Sequence, residues 1–343
     1  MLRQLWRLSR VLELGDVRMR APSIYMEKHG RTWEVEEARE TGYEGVACVD
    51  DAARLAVLLL RAHAAYDLPW ALEWARESLA FVLHLQQPDG NFVNFVLDWN
   101  GTPNLTGPTS AAGGSPWLAR ALWALSVGFR VTGDERYRER YYAALDHLAD
   151  SEYADILGQG LISVVEMHRA SPDPKLLLLA RQLAERVCMC QHNGVLLNHL
   201  DEENPHLWGY VQPAALCLVA ALIGVDAWTP VAVRSVQASI MPMVRDAFDQ
   251  PRTLAYEVSS AVWNLDAVHV ATGVLQYQTL AHDARAWFHG RNSAAVPVYD
   301  TVRGMVFDGI DGRRVSENSG AESNIEGGFA LFGELPWRNY DLR

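Results

Sequence analysis

Apolar positions along the 343-residue chain recur mainly at intervals of three and four, with few runs of strict alternation, so the pattern predicts helix after helix. Residues 46–66 carry Ala, Leu and Val at helical spacing behind Asp50 and Asp51. A second helix over 70–87 follows, with Pro69 in its first turn and Pro88-Asp-Gly as its stop. The rhythm resumes over 116–131 and 135–149, split by Thr132-Gly133-Asp134. It continues over 161–170 and 174–192, then 210–223 and 230–248, then 256–271 and 274–288, split by Thr272-Gly273. An irregular stretch at 296–312 precedes a last helix at 319–332. Residues 1–15 read as an amphipathic helix with Leu2, Leu5, Trp6, Leu8 and Leu12 along one side.

Consecutive helix pairs can stack as an open solenoid or close into a ring. The connections alternate between short glycine turns and long polar segments rich in Trp, Asn and acidic residues, of which 91–114 is the longest. That asymmetry suits a barrel whose long loops crowd one face of a cleft. The expected fold is therefore all-α, an (α/α)6 toroid of about six helical hairpins. No linker divides the chain, so 1–343 is read as one domain, with the N-terminal helix (1–15) packing on or closing the ring.

Composition narrows the class. With 49% hydrophobic and 21% charged residues, the chain has the balance of a soluble globular protein. A net charge of −12 without any Lys/Arg stripe argues against a nucleic-acid surface and fits a neutral or cationic substrate better than a polyanion. No stretch approaches the roughly 18 apolar residues of a membrane span. The start lacks the basic flank, apolar run and cleavage site of a secretory leader. Cys48, Cys188, Cys190 and Cys217 sit in apolar helical stretches as small hydrophobes. The expectation is a cytoplasmic, reduced protein whose sequons at Asn100 and Asn104 carry nothing.

Candidate chemistry concentrates at helix starts. Tyr43-Glu44-Gly45 leads into Cys48, then Asp50 and Asp51 with Arg54 one turn on. One Asp suffices to cap a helix; the second, repelled by its neighbour, needs another partner or a raised pKa. Glu322 and Glu326, four apart after Asn318, share a face of the last helix. Asn91, Asn94, Asp98 and Trp99 in the long loop, Trp117 and Arg120, Trp208 with Tyr210, and Tyr256 with Glu257 supply aromatic faces, amides and charge of the kind that binds sugars. Any single Trp or Tyr is more often core. Cys188-Met-Cys190-Gln-His192 has the composition of a metal tract, but positions i and i+2 diverge on a helix, so no metal is expected. No nucleotide or dinucleotide fingerprint is present, no cofactor is expected, and Asp308-Gly-Ile-Asp311-Gly312 reads as a turn.

Residues 42–54, ending Cys48-Val-Asp50-Asp51-Ala-Ala-Arg54, resemble the cysteine, paired-aspartate and arginine motif of six-hairpin glycosidase-like proteins, a group often associated with bacterial glycosyltransferases. Arg120-Ala-Leu-Trp-Ala-Leu125 is similar to that group's second inner helix. Trp287–Asn292, Val298–Asp300, Phe307–Ile310 and Asn318–Glu326 are similar to its closing segment, in the same order. The resemblance spans roughly 25–333 with a poorly matched middle, and it is specific for superfamily rather than reaction. It implies an (α/α)6 toroid, a carbohydrate cleft with Asp50, Asp51, Arg54, Asn318 and Glu322 in it, and a glycosyltransferase as partner. One departure stands out: where the group often has an acid shortly before the arginine, this chain reads Gly113-Gly-Ser-Pro-Trp117-Leu-Ala-Arg120.

Three readings stay open. The first is glycoside hydrolysis by Asp50 or Asp51 with Glu322, since first and last helices are neighbours in a closed ring. The second is a non-catalytic carbohydrate-binding or scaffolding module serving glycan synthesis, motivated by the missing acid. The third is a sugar epimerase or lyase using His and Tyr.

Overall fold

The computed structural model describes residues 1–36 and 44–339. Its helices, in chain order, are α1 (Leu2–Leu8), α2 (Val49–Tyr66), α3 (Pro69–His84), α4 (Pro116–Thr132), α5 (Glu135–Leu145), α6 (Ala154–Ala170), α7 (Pro174–Met189), α8 (Gln212–Ile223), α9 (Thr229–Ser235), α10 (Met241–Arg245), α11 (Ala255–Thr272), α12 (Leu275–Ala286) and α13 (Ala321–Ala330). α2, α4, α6, α8, α11 and α13 pack each on the next, and α13 packs back on α2, which closes the inner ring of an (α/α)6 toroid. Outside it lie α3, α5, α7, α9 and α12, each against the inner helix before it, while α10 follows α9 and packs against α12. α1 takes the sixth outer place, against α13.

Sequence decides which helix goes inside. α2 is apolar around most of its circumference, and its run from Val49 to Leu60 is buried throughout. α5, by contrast, buries only Tyr137, Tyr141, Ala144 and Leu145 and turns its charged face to solvent. Each inner helix but the last ends in a short turn to its outer partner. Gly133, Gly224 and Gly273 cap three of these in the left-handed region, with φ of 68, 73 and 70°, which glycine adopts without a Cβ penalty. The returns to the ring are longer, notably 85–115, 190–211 and 287–320, and they gather where the inner helices begin.

The structure corrects the expected elements in three places. The helix expected over 1–15 stops at Leu8, where the Ser9 hydroxyl donates to the Leu5 carbonyl (2.7 Å). Ser9–Leu14 then pairs antiparallel with Val17–Pro22, placing Leu12 opposite Met19 on the core side. A second hairpin, Tyr25–His29 with Thr32–Glu36, follows. The helix expected from 161 begins at Ala154, because Gly158 and Gly160 mark close packing rather than a break: Gly158 lies against Gln212 and Gly160 against Leu148. The helix expected over 230–248 is interrupted by a π-turn at Val236–Ile240, just before Pro242, which has no N–H to donate. None of the described helices is long and apolar enough to cross a membrane.

Candidate carboxylate site at one mouth of the ring

A cavity of about 560 Å³ opens where α2, α4, α11 and α13 begin. Helix N-termini present unpaired N–H groups and partial positive charge, so this mouth is predisposed to hold carboxylates. The start of α2 is fixed from two sides. Ala47–Cys48 pairs with Phe95–Val96, and the Cys48 sulfur accepts the Asp51 N–H (3.4 Å) as N-cap. From the long loop, the Asn94 carbonyl accepts the Val49 N–H (2.7 Å) and its Oδ1 accepts the Asp50 N–H (3.2 Å).

Arg54 organises the charge. From α2, its Nη2 donates to Asp50 Oδ2 (3.2 Å) and Asp51 Oδ1 (2.9 Å), and its Nη1 donates to Glu322 Oε1 (2.9 Å) and Glu326 Oε1 (2.8 Å) on α13. One buried guanidinium thus ties the first inner helix to the last. Arg120 of α4 pairs with Asp50 Oδ1 and lies 4.2 Å from the Trp208 ring centroid. Trp208 Nε1 in turn donates to Glu322 Oε1 (2.6 Å), completing a circuit through three helices and the segment before α8.

Four carboxylates here share two guanidiniums, and the protons settle unequally. Burial disfavours charge on Asp50, but Arg120 and Arg54 outweigh it and hold its carboxyl below the ordinary value. Asp51 is buried with less compensation. Desolvation raises its pKa to about 7, opposed by Arg54 and reinforced by Asp50 and Glu322. Burial also pushes the Cys48 thiol up, so it stays an S–H that can donate to Asp51 Oδ2 (3.4 Å). Asp308, on the cavity wall, accepts from the Gly320 N–H (2.9 Å) and the Ser323 hydroxyl (2.7 Å) at the start of α13, and burial raises its carboxyl.

Asp50, Asp51, Arg54, Asn94, Trp117, Trp208, Tyr256 and Glu322 all line this cavity. Arg120 and Glu326 stand behind it, in contact through Asp50 and Arg54. Asn318 sits beside the wall, its Nδ2 donating to the Tyr25 hydroxyl (3.4 Å). Three expected site residues lie elsewhere. Glu44 accepts the Thr109 N–H (2.7 Å) and hydroxyl (2.6 Å), stapling the long loop. Glu257 caps α11 by accepting the Leu254 N–H (2.6 Å), and Trp99 packs against the core under the Arg10 guanidinium. Tyr43 falls outside the described residues. The sequence reading missed Tyr25, Arg252 and Asp308 on the wall. Asp308 looked like a turn residue, and nothing local reveals that it caps a helix twelve residues later.

A smaller hollow lies behind Arg120 and Trp208, against Asp155 and Gln159 of α6. Asp155 Oδ1, Gln159 Nε2 and both polar side-chain atoms of Gln212 are buried there or nearby without a hydrogen-bond partner among the described residues, and burial raises the Asp155 carboxyl.

No family model matches the chain, and no curated protein matches it. Solved structures do match in shape. A sugar epimerase from a ruminal bacterium superposes with a TM-score of 0.70 at 11% identity, over 98% of this chain and 95% of that one. A D-mannose isomerase gives 0.68 at 12% identity, over 92% of each. An inactive variant of the α-1,6-mannanase GH76A of Salegentibacter sp. HEL1_6, with two consecutive aspartates changed to asparagine and α-1,6-mannotriose bound, gives 0.62 at 10% identity, over 96% of this chain and 95% of that one. At these identities the likeness establishes the fold.

Proposed function

We propose that the carboxylate cavity takes a sugar and that the protein is a carbohydrate-active enzyme, with glycoside hydrolysis as its reaction. One observation carries this reading. Asp51 retains a proton to about pH 7 while sharing the Arg54 guanidinium with Glu322, so an acid and a carboxylate face one cavity. Glycoside cleavage needs that pairing: Asp51 protonates the leaving oxygen, and Glu322 activates water or attacks the anomeric carbon. The Asp51 side chain is 4% exposed and that of Glu322 31%, which suits a buried acid and a more accessible partner. Trp117, Trp208 and Tyr256 offer flat apolar faces to a sugar ring. The mannanase of the same fold is inactive with consecutive aspartates replaced, and a consecutive pair opens α2 here.

A second reading, epimerisation or isomerisation of a free sugar, is favoured by the epimerase and isomerase of like shape and by Tyr25 and Tyr256 on the wall. The test is incubation of wild type, Asp51→Asn and Glu322→Gln with a panel of glycosides and free sugars, following products and melting temperature. Hydrolysis predicts new reducing ends from wild type, with the rate cut by roughly 10²-fold or more in each variant. Conversion of a free aldose without bond cleavage selects the second reading. A sugar that stabilises all three proteins equally and stays intact makes this a binding module. No shift with any sugar overturns the proposal.

A further inference from the structure

We propose that the opposite mouth of the ring is a second binding site, built for a small organic anion with a flat aromatic body. A cavity of about 450 Å³ opens there, among the C-terminal halves of α2, α6, α8, α11 and α13. Its floor is fixed: the Trp263 ring lies 5.3 Å from that of buried Trp123 and 5.7 Å from that of Phe329. Its cations are Arg61 and Arg169, both on the lining, and burial there lowers the Arg61 pKa from its ordinary value. The Arg61 guanidinium stands 5.8 Å from the Trp263 centroid and 6.0 Å from that of Phe329.

Among the described residues neither arginine has a carboxylate within ion-pair distance, although the chain carries a net charge of −12. The acids nearby are engaged elsewhere, Glu166 by Arg130 (2.6 Å) and Asp266 by Arg285. A cation at a helix C-terminus is favoured by the backbone dipole, and that alone accounts for one exposed arginine. It does not account for a concave aromatic floor beside two of them, nor for Val270 left 83% exposed at the rim. A flat ring laid on Trp263 would bury that apolar surface. A carboxylate, sulfonate or phosphate on the ring would take charge-assisted hydrogen bonds from both guanidiniums. The site at the other mouth offers no such pairing, since Arg54 and Arg120 are already engaged by Asp50, Asp51, Glu322 and Glu326.

The probe is anilinonaphthalene sulfonate, followed by fluorescence titration of the intact chain, beside its uncharged analogue phenylnaphthylamine. Saturable binding of one equivalent is expected, with affinity at least about tenfold above that of the neutral analogue. It is expected to fall about tenfold or more in the Arg61→Gln/Arg169→Gln double variant and to be unchanged in Asp51→Asn. Val270→Glu, at an exposed position, places a negative charge at the rim and should weaken binding similarly even if the double variant fails to fold. Equal affinity for the neutral analogue, undiminished binding by Val270→Glu, or no saturable binding at all overturns the proposal.

Discussion

At the mouth where the inner helices start, Asp50, Asp51, Glu322 and Glu326 converge on Arg54; at the mouth where they end, Arg61 and Arg169 face Trp263 and Phe329. The same ring of helices makes both, and the difference follows from their common direction. Every inner helix points its N–H end at the first mouth and its C=O end at the second, so carboxylates are favoured at one and guanidiniums at the other. Connections add a second asymmetry. Short turns such as Gly133-Asp134 and Gly273-Val274 leave the second mouth to helix side chains, whereas long loops bring Thr109, Trp208 and Asp308 to the first. Helix polarity sets the sign of the charge, and loop length decides how many foreign residues can join it.

The strongest way to break this contrast is to remove one cation from each mouth. Arg54→Met should cost about 3–5 kcal/mol in urea denaturation, because it strands buried carboxylates that share that guanidinium. Arg61→Met should cost no more than about 1 kcal/mol, since among the described residues it loses ring contacts but no ion pair. Equal costs would mean that the first mouth is not the charge-dependent one.

A smaller effect separates the adjacent aspartates. The Asp51 pKa rises on folding from 3.8 to about 7, so between those values the folded chain binds more protons than the unfolded one. Its contribution to stability is therefore present below the unfolded value and lost as pH rises to about 7, by at most about 4 kcal/mol. Asp50 runs the other way: its folded value is depressed, so its contribution is present above 3.8 and lost as pH falls through the folded pKa. Asp51→Asn should flatten the loss of stability between about pH 4 and pH 7, as read by denaturant melts across that range, and should match or exceed wild type above it. A wild-type profile that rises across the window would show Asp51 to be ionised.

The intermediate test concerns Trp208. Trp208→Phe keeps an aromatic face near Arg120 but removes the donor to Glu322, a hydrogen bond to a carboxylate. A loss of roughly 1.5–3 kcal/mol in transition-state or ligand binding is expected, read as the change in kcat/KM once a substrate is known, or in sugar affinity otherwise. No change would mean that Glu322 is positioned by Arg54 alone.

The two mouths were not equally legible in the sequence. The helical pairs and their turns were visible because local rules write them: apolar spacing, Pro in first turns, Gly at C-caps. The Asp50, Asp51 and Arg54 cluster was visible because it sits within one helical turn. Asp308 and Tyr25 were hidden because their roles depend on contacts that only folding makes, Asp308 with the start of α13 and Tyr25, on a hairpin, with Asn318. Glu257 misled for the converse reason, since its carboxylate satisfies a backbone N–H three residues back, a task that sequence cannot distinguish from reaching a cavity; Glu44 misled because it reaches Thr109 in the long loop instead. The second mouth gave no sequence signal, since Arg61, Arg169 and Trp263 are far apart in the chain and ordinary singly. The N-terminal helix was overextended because Leu12 fits both the helical stripe from Leu2 and the strand that pairs it with Met19.

The smallest effect tests whether the short turns matter only through backbone shape. A Cβ built at Gly133, Gly224 or Gly273 would meet nothing within 4 Å, yet all three glycines have φ near +70°. Alanine there should cost about 1 kcal/mol, the left-handed penalty partly offset by a less flexible unfolded chain, and the three costs should agree. Asp67 supplies the reverse experiment, because it ends α2 in the same region at φ 52° with a side chain present. Asp67→Gly relieves that penalty while adding unfolded-state freedom, so it should be neutral to slightly stabilising in thermal melts. A clear loss would mean that the Asp67 side chain, and not only the backbone, holds the α2–α3 turn. The second mouth would then rest on side-chain chemistry as the first does.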